Sequence, residues 1–132
     1  MPGLVLKLAP KERVLVNGVV LENGDRRSKI TVMTPAARIL RLRDAIHPDE
    51  ATTPVRRVCY ILQLALSGDV DERAAHEQVL EGIAQLESVF SDRDSKAHLS
   101  AAAQAIVDGM SYRALKTLRL LIPREARLLG GH

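Results

Sequence analysis

The first 45 or so residues alternate apolar and polar positions with the period of two that is typical of β-strands. Leu4, Leu6 and Leu8 lie on one side of this pattern, with Val5 and Lys7 on the other. Four more stretches have the same character: Arg13–Val16, Val19–Glu22, Ser28–Met33 and Arg38–Leu42. Five short strands on tight turns predict a small antiparallel meander.

The turns between these stretches carry their own signals. Asn17-Gly18 joins two β-branched runs, and a type I′ turn needs positive φ at both central residues, which Asn and Gly tolerate. We therefore predict a hairpin here, and a second turn over Asn23–Arg27. The edges of such a sheet need cover from helices or a partner, and an open edge would also permit a homodimer.

After Ile46-His47-Pro48 the spacing of apolar residues changes to that of helices. Thr53 is placed to cap a helix that has Pro54 in its first position, where the missing N–H costs nothing, and Ser67-Gly68 should end it. Further helices are predicted over Asp71–Phe90, Lys96–Val107 and Tyr112–Ile122, with one more turn over Arg124–Leu129. Asp94 or Ser95 and then Ser111 are the predicted caps of the later helices.

Strands followed by helices predict an α+β fold, with an N-terminal five-stranded antiparallel β meander packed against a C-terminal bundle of about four helices. We expect a β-rich lobe over residues 1–46 and a helical lobe over residues 47–132. A chain of 132 residues is the size of one domain, so the two lobes should form one compact unit.

The composition favours one cellular location. No apolar stretch approaches the roughly 20 residues that cross a bilayer, and no leader opens the chain, so we expect a cytoplasmic protein without membrane contact. Cys59 is the single cysteine, which excludes an internal disulfide. We expect Cys59 and Tyr60 to pack in the core rather than to react.

Signatures of catalysis are missing from the sequence. The four histidines lack the spacing of metal ligands, and there is no phosphate loop, dinucleotide fingerprint or nucleophile elbow. We therefore expect no enzyme activity, no metal and no cofactor.

Aromatic residues are scarce and charge is segregated. Tyr60, Phe90 and Tyr112 are the only aromatic residues, too few for a platform that stacks bases, so any contact with nucleic acid must depend on Arg and Lys. The net charge of +3 combines an acidic middle, with eight acidic and three basic residues over 70–110, and basic ends. Such segregation draws nucleic acid to some surfaces and repels it from others.

Three groups of basic residues are candidate phosphate contacts. Arg56 and Arg57 lie in the first turn of a helix, where they oppose the helix dipole. Two explanations remain open: together with the free N–H groups they bind a phosphate, or Asp49 or Glu50 pairs with them.

The second group surrounds the second turn and the third lies on the last predicted helix. Arg26, Arg27 and Lys29 could form a positive surface that Arg38, Arg41 and Arg43 extend, Arg41 and Arg43 sharing one strand face; an ordinary solvated sheet face is the alternative. The third group lines one helix face at helical spacing: Arg113, Lys116 and Arg119.

These landmarks, in this order, resemble the FlbT family of flagellum biosynthesis repressors over nearly the whole chain. The N-terminal segments that carry the resemblance are Leu6–Arg13, Val16–Val20, Asn23–Arg26 and Ala51–Pro54, followed by Gln63. The C-terminal segments are Tyr112–Arg119, Leu121–Pro123 and Glu125-Ala126. Cys59 stands where the family is expected to have an aromatic residue.

The resemblance implies post-transcriptional control of flagellin. Members of the family associate with the 5′ untranslated region of flagellin mRNA and promote its degradation, in functional connection with the regulator FlaF, although some members activate. It carries over no catalytic and no RNA-contacting residues. The hypothesis is that the three basic groups contact the phosphates of the flagellin mRNA leader. The alternative is an adaptor that acts through FlaF or flagellin without contacting RNA, docking by its apolar tail with Leu128 and Leu129 or by an open sheet edge.

Overall fold

The computed structural model describes residues 3–34 and 37–130, which form five strands, two 3-10 helices and five α-helices. The strands are β1 (Leu4–Leu8), β2 (Arg13–Val16), β3 (Val19–Glu22), β4 (Ser28–Val32) and β5 (Ile39–Arg41). The 3-10 helices are Leu42–Asp44 and Pro48–Glu50. The helices are α1 (Pro54–Ser67), α2 (Glu72–Leu86), α3 (Arg93–Val107), α4 (Ser111–Arg119) and α5 (Ile122–Leu128). The α+β class is confirmed.

The strands form two antiparallel sheets, so the prediction of a single five-stranded meander was wrong. β1 pairs with β4, while β2 lies between β3 and β5. The cause is the tight turn after β1, in which the Glu12 N–H donates to the Ala9 carbonyl at 3.1 Å and Lys11 has a φ of 62°. This turn sends β2 into the second sheet rather than back along β1.

The β2–β3 hairpin is confirmed. Asn17 has a φ of 48° and Gly18 a φ of 84°, as a type I′ turn requires, and the register pairs Val16 with Val19. The Asn17 side chain also accepts a hydrogen bond from the Arg38 N–H at 2.8 Å, which ties the turn to the start of β5.

Two apolar clusters meet at β5. Leu6, Leu8, Val14 and Ile39 form the cluster of the β-strands, where both sheets contribute, and Leu40 belongs to the cluster of the helices. Successive side chains of a strand point to opposite faces, so β5 supplies one residue to each cluster. The sheets and helices are therefore packed through a shared strand.

Helix ends follow the sequence in part. Thr53 caps α1 by accepting from the Arg56 N–H at 3.3 Å, and Gly68 ends it with a φ of 84°, as predicted. In α3, Asp92 accepts from the Ser95 N–H at 2.9 Å, so the helix begins before the predicted caps Asp94 and Ser95.

The predicted last helix, Tyr112–Ile122, is two helices. The chain turns at Leu121, which is fully buried, and α5 begins with Pro123 in its first turn, where a missing N–H is tolerated. Ser111 is the first residue of α4 rather than its cap, and its hydroxyl lies 2.8 Å from His76 Nε2. α2 likewise ends at Leu86 rather than at the predicted Phe90.

Cys59 packs in the core as predicted, with no exposed surface, and burial raises the pKa of its thiol to about 12. Tyr60, the neighbour predicted to share this environment, is half-buried. Within residues 3–34 and 37–130, no helix has the length and apolar character needed to cross a membrane.

Candidate nucleic-acid interface

The outer face of the β1–β4 sheet places two lysines directly opposite each other. Lys7 of β1 and Lys29 of β4 are paired in the antiparallel register, and both are exposed. Residues that face each other across an antiparallel pair have Cβ atoms about 4.5–5.5 Å apart, so two like charges there destabilise the sheet. An anion bound between them would remove this repulsion.

The alternation of β1 requires this arrangement. Leu6 and Leu8 are 2 % and 7 % exposed and belong to the inner cluster, so Lys7 between them must point outward. Arg27 lies in the turn immediately before β4, two residues before Lys29, and it is exposed. The turn therefore adds a third exposed cation close in sequence to the lysine pair.

Asn23 positions the turn that carries Arg26 and Arg27. Its amide nitrogen donates to the Ala9 carbonyl at 2.7 Å and to the Arg26 carbonyl at 2.9 Å, and its Oδ1 accepts from the Ser28 hydroxyl at 2.7 Å. These bonds hold the turn against the end of β1 and leave both arginines exposed.

We call Lys7, Arg26, Arg27 and Lys29 the β1–β4 basic surface. Among the described residues, no carboxylate lies within 4 Å of any of these four side chains. The one acidic residue of the turn, Asp25, is paired with Lys11 at 2.9 Å. The surface therefore presents four unneutralised cations, which is the charge pattern that binds a phosphate backbone.

The second group, Arg56 and Arg57, lies at an α1 N-terminus that already has an anion. The buried carboxylate of Glu125, from α5, accepts from the Val55 N–H at 2.8 Å. A carboxylate at this position interacts favourably with the helix dipole, so Glu125 supplies the negative charge for which the sequence suggested a phosphate.

The alternative pairing of Arg56 and Arg57 with Asp49 or Glu50 is not seen among the described residues. Glu50 accepts from the His47 N–H at 3.0 Å, and Asp49 lies 3.5 Å from the His47 ring. Arg57 is exposed and donates to the Thr52 carbonyl at 3.3 Å, whereas Arg56 is half-buried. Arg57 therefore remains the more accessible of the two.

The third group, on α4, is divided between two environments. Arg113 and Lys116 are exposed, but Arg119 donates to the Asp44 carbonyl at 2.7 Å and lies 4.0 Å from its carboxylate. Arg113 lines a cavity of about 320 Å³ beside Leu4. It therefore lies at the opposite end of the β1–β4 sheet from Arg26 and Arg27, and the structure does not join the three groups into one cluster.

Arg41, expected to extend the positive surface, is instead buried in an ion pair with Glu12. The two side chains form two hydrogen bonds, of 2.7 and 2.8 Å, and the guanidinium also donates to the Lys7 carbonyl. The hydrogen bond from Arg41 is the main cause that lowers the pKa of Glu12 to about 2, and the same bond raises the pKa of Arg41.

Arg43 does not share a strand face with Arg41, as was expected. β5 ends at Arg41, and Arg43 lies in the following 3-10 helix, where it is 3.6 Å from Glu12. Period-two alternation stops where the strand stops, which explains the difference. Both arginines are therefore partly or fully neutralised by one carboxylate.

Two participants were missed from the sequence: Lys7 and Glu125. The alternation around Lys7 was visible, but its significance depends on the register with β4. Glu125 contacts Val55 across 70 residues of sequence, and no local signal reports such a contact. Gln63 is a similar long-range contact, because its side-chain amide accepts from the Ile46 N–H at 2.7 Å and donates to the Ile46 carbonyl at 3.0 Å.

No group of three or more His, Cys, Asp or Glu side chains that could hold a metal ion occurs within residues 3–34 and 37–130. The acidic and imidazole side chains described above contact backbone groups, arginines, a lysine, a serine hydroxyl or one another. The β1–β4 basic surface is therefore the candidate binding site among the described residues.

Comparison with known proteins agrees with the resemblance in the sequence. The family model for "Flagellar protein FlbT" matches residues 4–129. A relative from Brucella anthropi, named "Probable flagellum biosynthesis repressor protein FlbT", is 30% identical over 129 residues, 98% of this chain and 84% of the relative. One from Caulobacter sp. strain K31 with the same name is 31% identical over 127 residues, 96% of each chain.

A third relative, the "Flagellum biosynthesis repressor protein FlbT" of Caulobacter vibrioides strain ATCC 19089, is 29% identical over 127 residues, 96% of this chain and 89% of the relative. No solved structure gives a significant match. The family model spans β1 to the end of α5, so it covers both sheets, the basic surface and all five helices of the described chain. The chain belongs to the FlbT family.

Proposed function

We propose that this chain represses flagellum biosynthesis after transcription, in the cytoplasm, by binding the 5′ untranslated leader of flagellin mRNA and promoting its degradation. The observation that carries the proposal is the Lys7–Lys29 pair on the outer face of the β1–β4 sheet. The relatives' names supply the flagellar context, since they are called flagellum biosynthesis repressors.

The form of recognition follows from what the surface offers. Tyr60 and Tyr112 are half-buried and Phe90 is 1 % exposed, so none of the three aromatic rings is free to stack on unpaired bases. Contacts from lysine and arginine to phosphates carry no information about base sequence. Binding should therefore depend on the path of the RNA backbone and weaken as salt rises.

The test measures binding of flagellin leader RNA over a salt series, with Lys7→Gln plus Lys29→Gln as the variant. Each lost phosphate contact reduces the slope of log affinity against log salt by about 0.7 to 0.9, so the double variant should lower it by about 1.4 to 1.8 and bind more weakly. The measurement is fluorescence polarisation with labelled leader RNA.

The matched control is Arg73→Gln plus Arg93→Gln, which removes two exposed cations from α2 and α3. We expect the wild-type slope for this control. An equal loss in both double variants would mean that only net charge matters and would refute the specific surface. Arg113→Gln plus Lys116→Gln tests the α4 face in the same way, and Arg56→Gln plus Arg57→Gln the start of α1.

A second candidate function is an adaptor that acts through FlaF or flagellin without direct RNA contact. Leu128 and Leu129, at the end of α5, are 57 % and 65 % exposed, an apolar pair available for a protein partner. The test is whether wild-type protein binds the leader RNA at low ionic strength. If it does not, yet binds purified FlaF or flagellin, the adaptor function is favoured over the RNA-binding proposal.

A further inference from the structure

The two edges of the β3–β2–β5 sheet differ in cover. All three residues of β5 are buried, whereas all four residues of β3 are exposed. Val19 and Val20 are each 57 % exposed and Leu21 is 44 % exposed. An exposed apolar edge strand is a ready template for pairing with another chain.

Both faces of β3 continue a buried surface. Leu21 is paired with Val14, which is 1 % exposed in the strand cluster, and Val20 is paired with Leu15, which packs against the helical cluster. Apolar residues on both faces are typical of a strand that is covered on both sides. In the single chain, β3 has apolar residues on both faces, but all four of its residues are exposed.

The register of the hairpin shows which backbone groups of β3 point outward. The residues that flank a two-residue turn form a hydrogen-bonded pair, and such pairs recur at every second residue. The Asn23 N–H donates to the Glu12 carbonyl at 2.8 Å, in the same phase as the Val16–Val19 pair. The N–H and carbonyl groups of Val20 and Glu22 therefore face away from β2 and have no backbone partner among the described residues.

We propose that β3 pairs antiparallel with β3 of a second copy of this chain, with Val20 opposite Val20 of the second copy on the two-fold axis. A symmetric dimer requires antiparallel pairing of identical strands, and the ladder forms only where outward-pointing residues oppose each other. Two three-stranded sheets would then become one six-stranded sheet, and the exposed β3 edge of each copy would be covered by the other.

Side-chain pairing selects this register. With Val20 on the axis, Val19 of each copy faces Leu21 of the other, so the three central pairs are all apolar. Glu22 of each copy faces Gly18 of the other, so no like charges meet. A shift by one hydrogen-bonded step places Glu22 against Val20. A shift by two steps places Glu22 against Glu22, which is repulsive.

The contact between two four-residue strands is small beside the roughly 1,200–2,000 Å² of total buried surface in stable complexes. We therefore expect a weak dimer with a dissociation constant on the order of 10 µM, so that monomer and dimer coexist at micromolar concentrations. Sedimentation equilibrium of the full chain measures it directly.

The decisive test uses the symmetry of the axis. Val20→Lys and Val20→Glu should each be monomeric, because like charges meet on the axis, and an equimolar mixture of the two should regain the dimer as a heterodimer. The control is Val5→Lys, which adds the same charge at a valine that is 52 % exposed on β1 and should leave the dimer intact. Circular dichroism confirms that each variant is folded.

A second variant fixes the register independently of charge. Val19→Cys plus Leu21→Cys should form a covalent dimer on mild oxidation, since non-hydrogen-bonded pairs have Cα atoms about 4.5 Å apart, within the range of a disulfide. Buried Cys59 should remain free. Wild-type protein that stays monomeric at about 1 mM, a Val20→Lys variant that still dimerises, or a mixture that stays monomeric would each overturn the proposal.

Discussion

Two groups of charges lie beside β1, an inner pair that is buried and an outer pair that is exposed, and they differ in how their charges are balanced. In the inner pair, the Glu12 carboxylate and the Arg41 guanidinium form a bidentate ion pair, and the guanidinium also donates to the carbonyl of Lys7. On the outer side, the ammonium of Lys7 faces that of Lys29. The inner charges are matched and should stabilise the fold, whereas the outer like charges should lower stability. Under the proposed function, a bound RNA phosphate would offset that cost. The comparison therefore contrasts a structural ion pair with a pair proposed to bind RNA.

The inner pair should have the largest effect on stability. Glu12→Gln leaves a buried guanidinium without its counter-charge, so we expect the free energy of unfolding to fall by about 3 kcal/mol. The control is Glu22→Gln, which removes an exposed partner of Arg13 and should cost less than about 1 kcal/mol. Urea denaturation measures both, and equal costs would contradict the distinction between buried and exposed pairs.

The same pair predicts a pH dependence. The pKa of Glu12 is about 2 in the folded protein against 4.5 for a free glutamate, so the unfolded chain binds the proton more readily. The contribution of Glu12 to stability is fully present above pH 4.5 and is lost as pH falls from about 4.5 to about 2. The difference in unfolding free energy between wild type and Glu12→Gln should shrink over this interval. A constant difference would show that the carboxylate charge does not stabilise the pair.

The sequence predicted the strands and the β2–β3 pairing, but not the division of the strands into two sheets. The alternation around Leu6 and the Asn17-Gly18 turn are local signals, and both the strand and the hairpin they predict are present. Pairing of β1 with β4 depends on the turn at Lys11, which has a positive φ that lysine rarely adopts. A tight turn between two strands normally indicates a hairpin, so the separation into two sheets could not be read from the pattern.

The candidate site was predicted only as a list of basic residues. Arg26, Arg27 and Lys29 are exposed, as a phosphate contact requires. In the wider set, however, Arg41 pairs with the buried Glu12 carboxylate, and Arg119 donates to the Asp44 carbonyl. A basic residue in the sequence gives no sign of whether a distant acidic residue will neutralise it. Sequence reasoning therefore cannot distinguish structural from available cations.

The smallest expected change in stability concerns the outer pair, Lys7 and Lys29. Here a substitution should change stability and RNA binding in opposite directions. Lys29→Thr removes the like-charge contact with Lys7 and should raise the free energy of unfolding by about 0.5 kcal/mol at low ionic strength, while it weakens leader RNA binding. A double-mutant cycle with Lys7→Thr isolates the charge effect from the higher strand propensity of threonine. The repulsive coupling should disappear near 1 M salt, where the Debye length is about 3 Å. Zero coupling at low salt would mean that the two ammonium groups avoid each other without help, and the need for a bound anion would no longer follow from their placement.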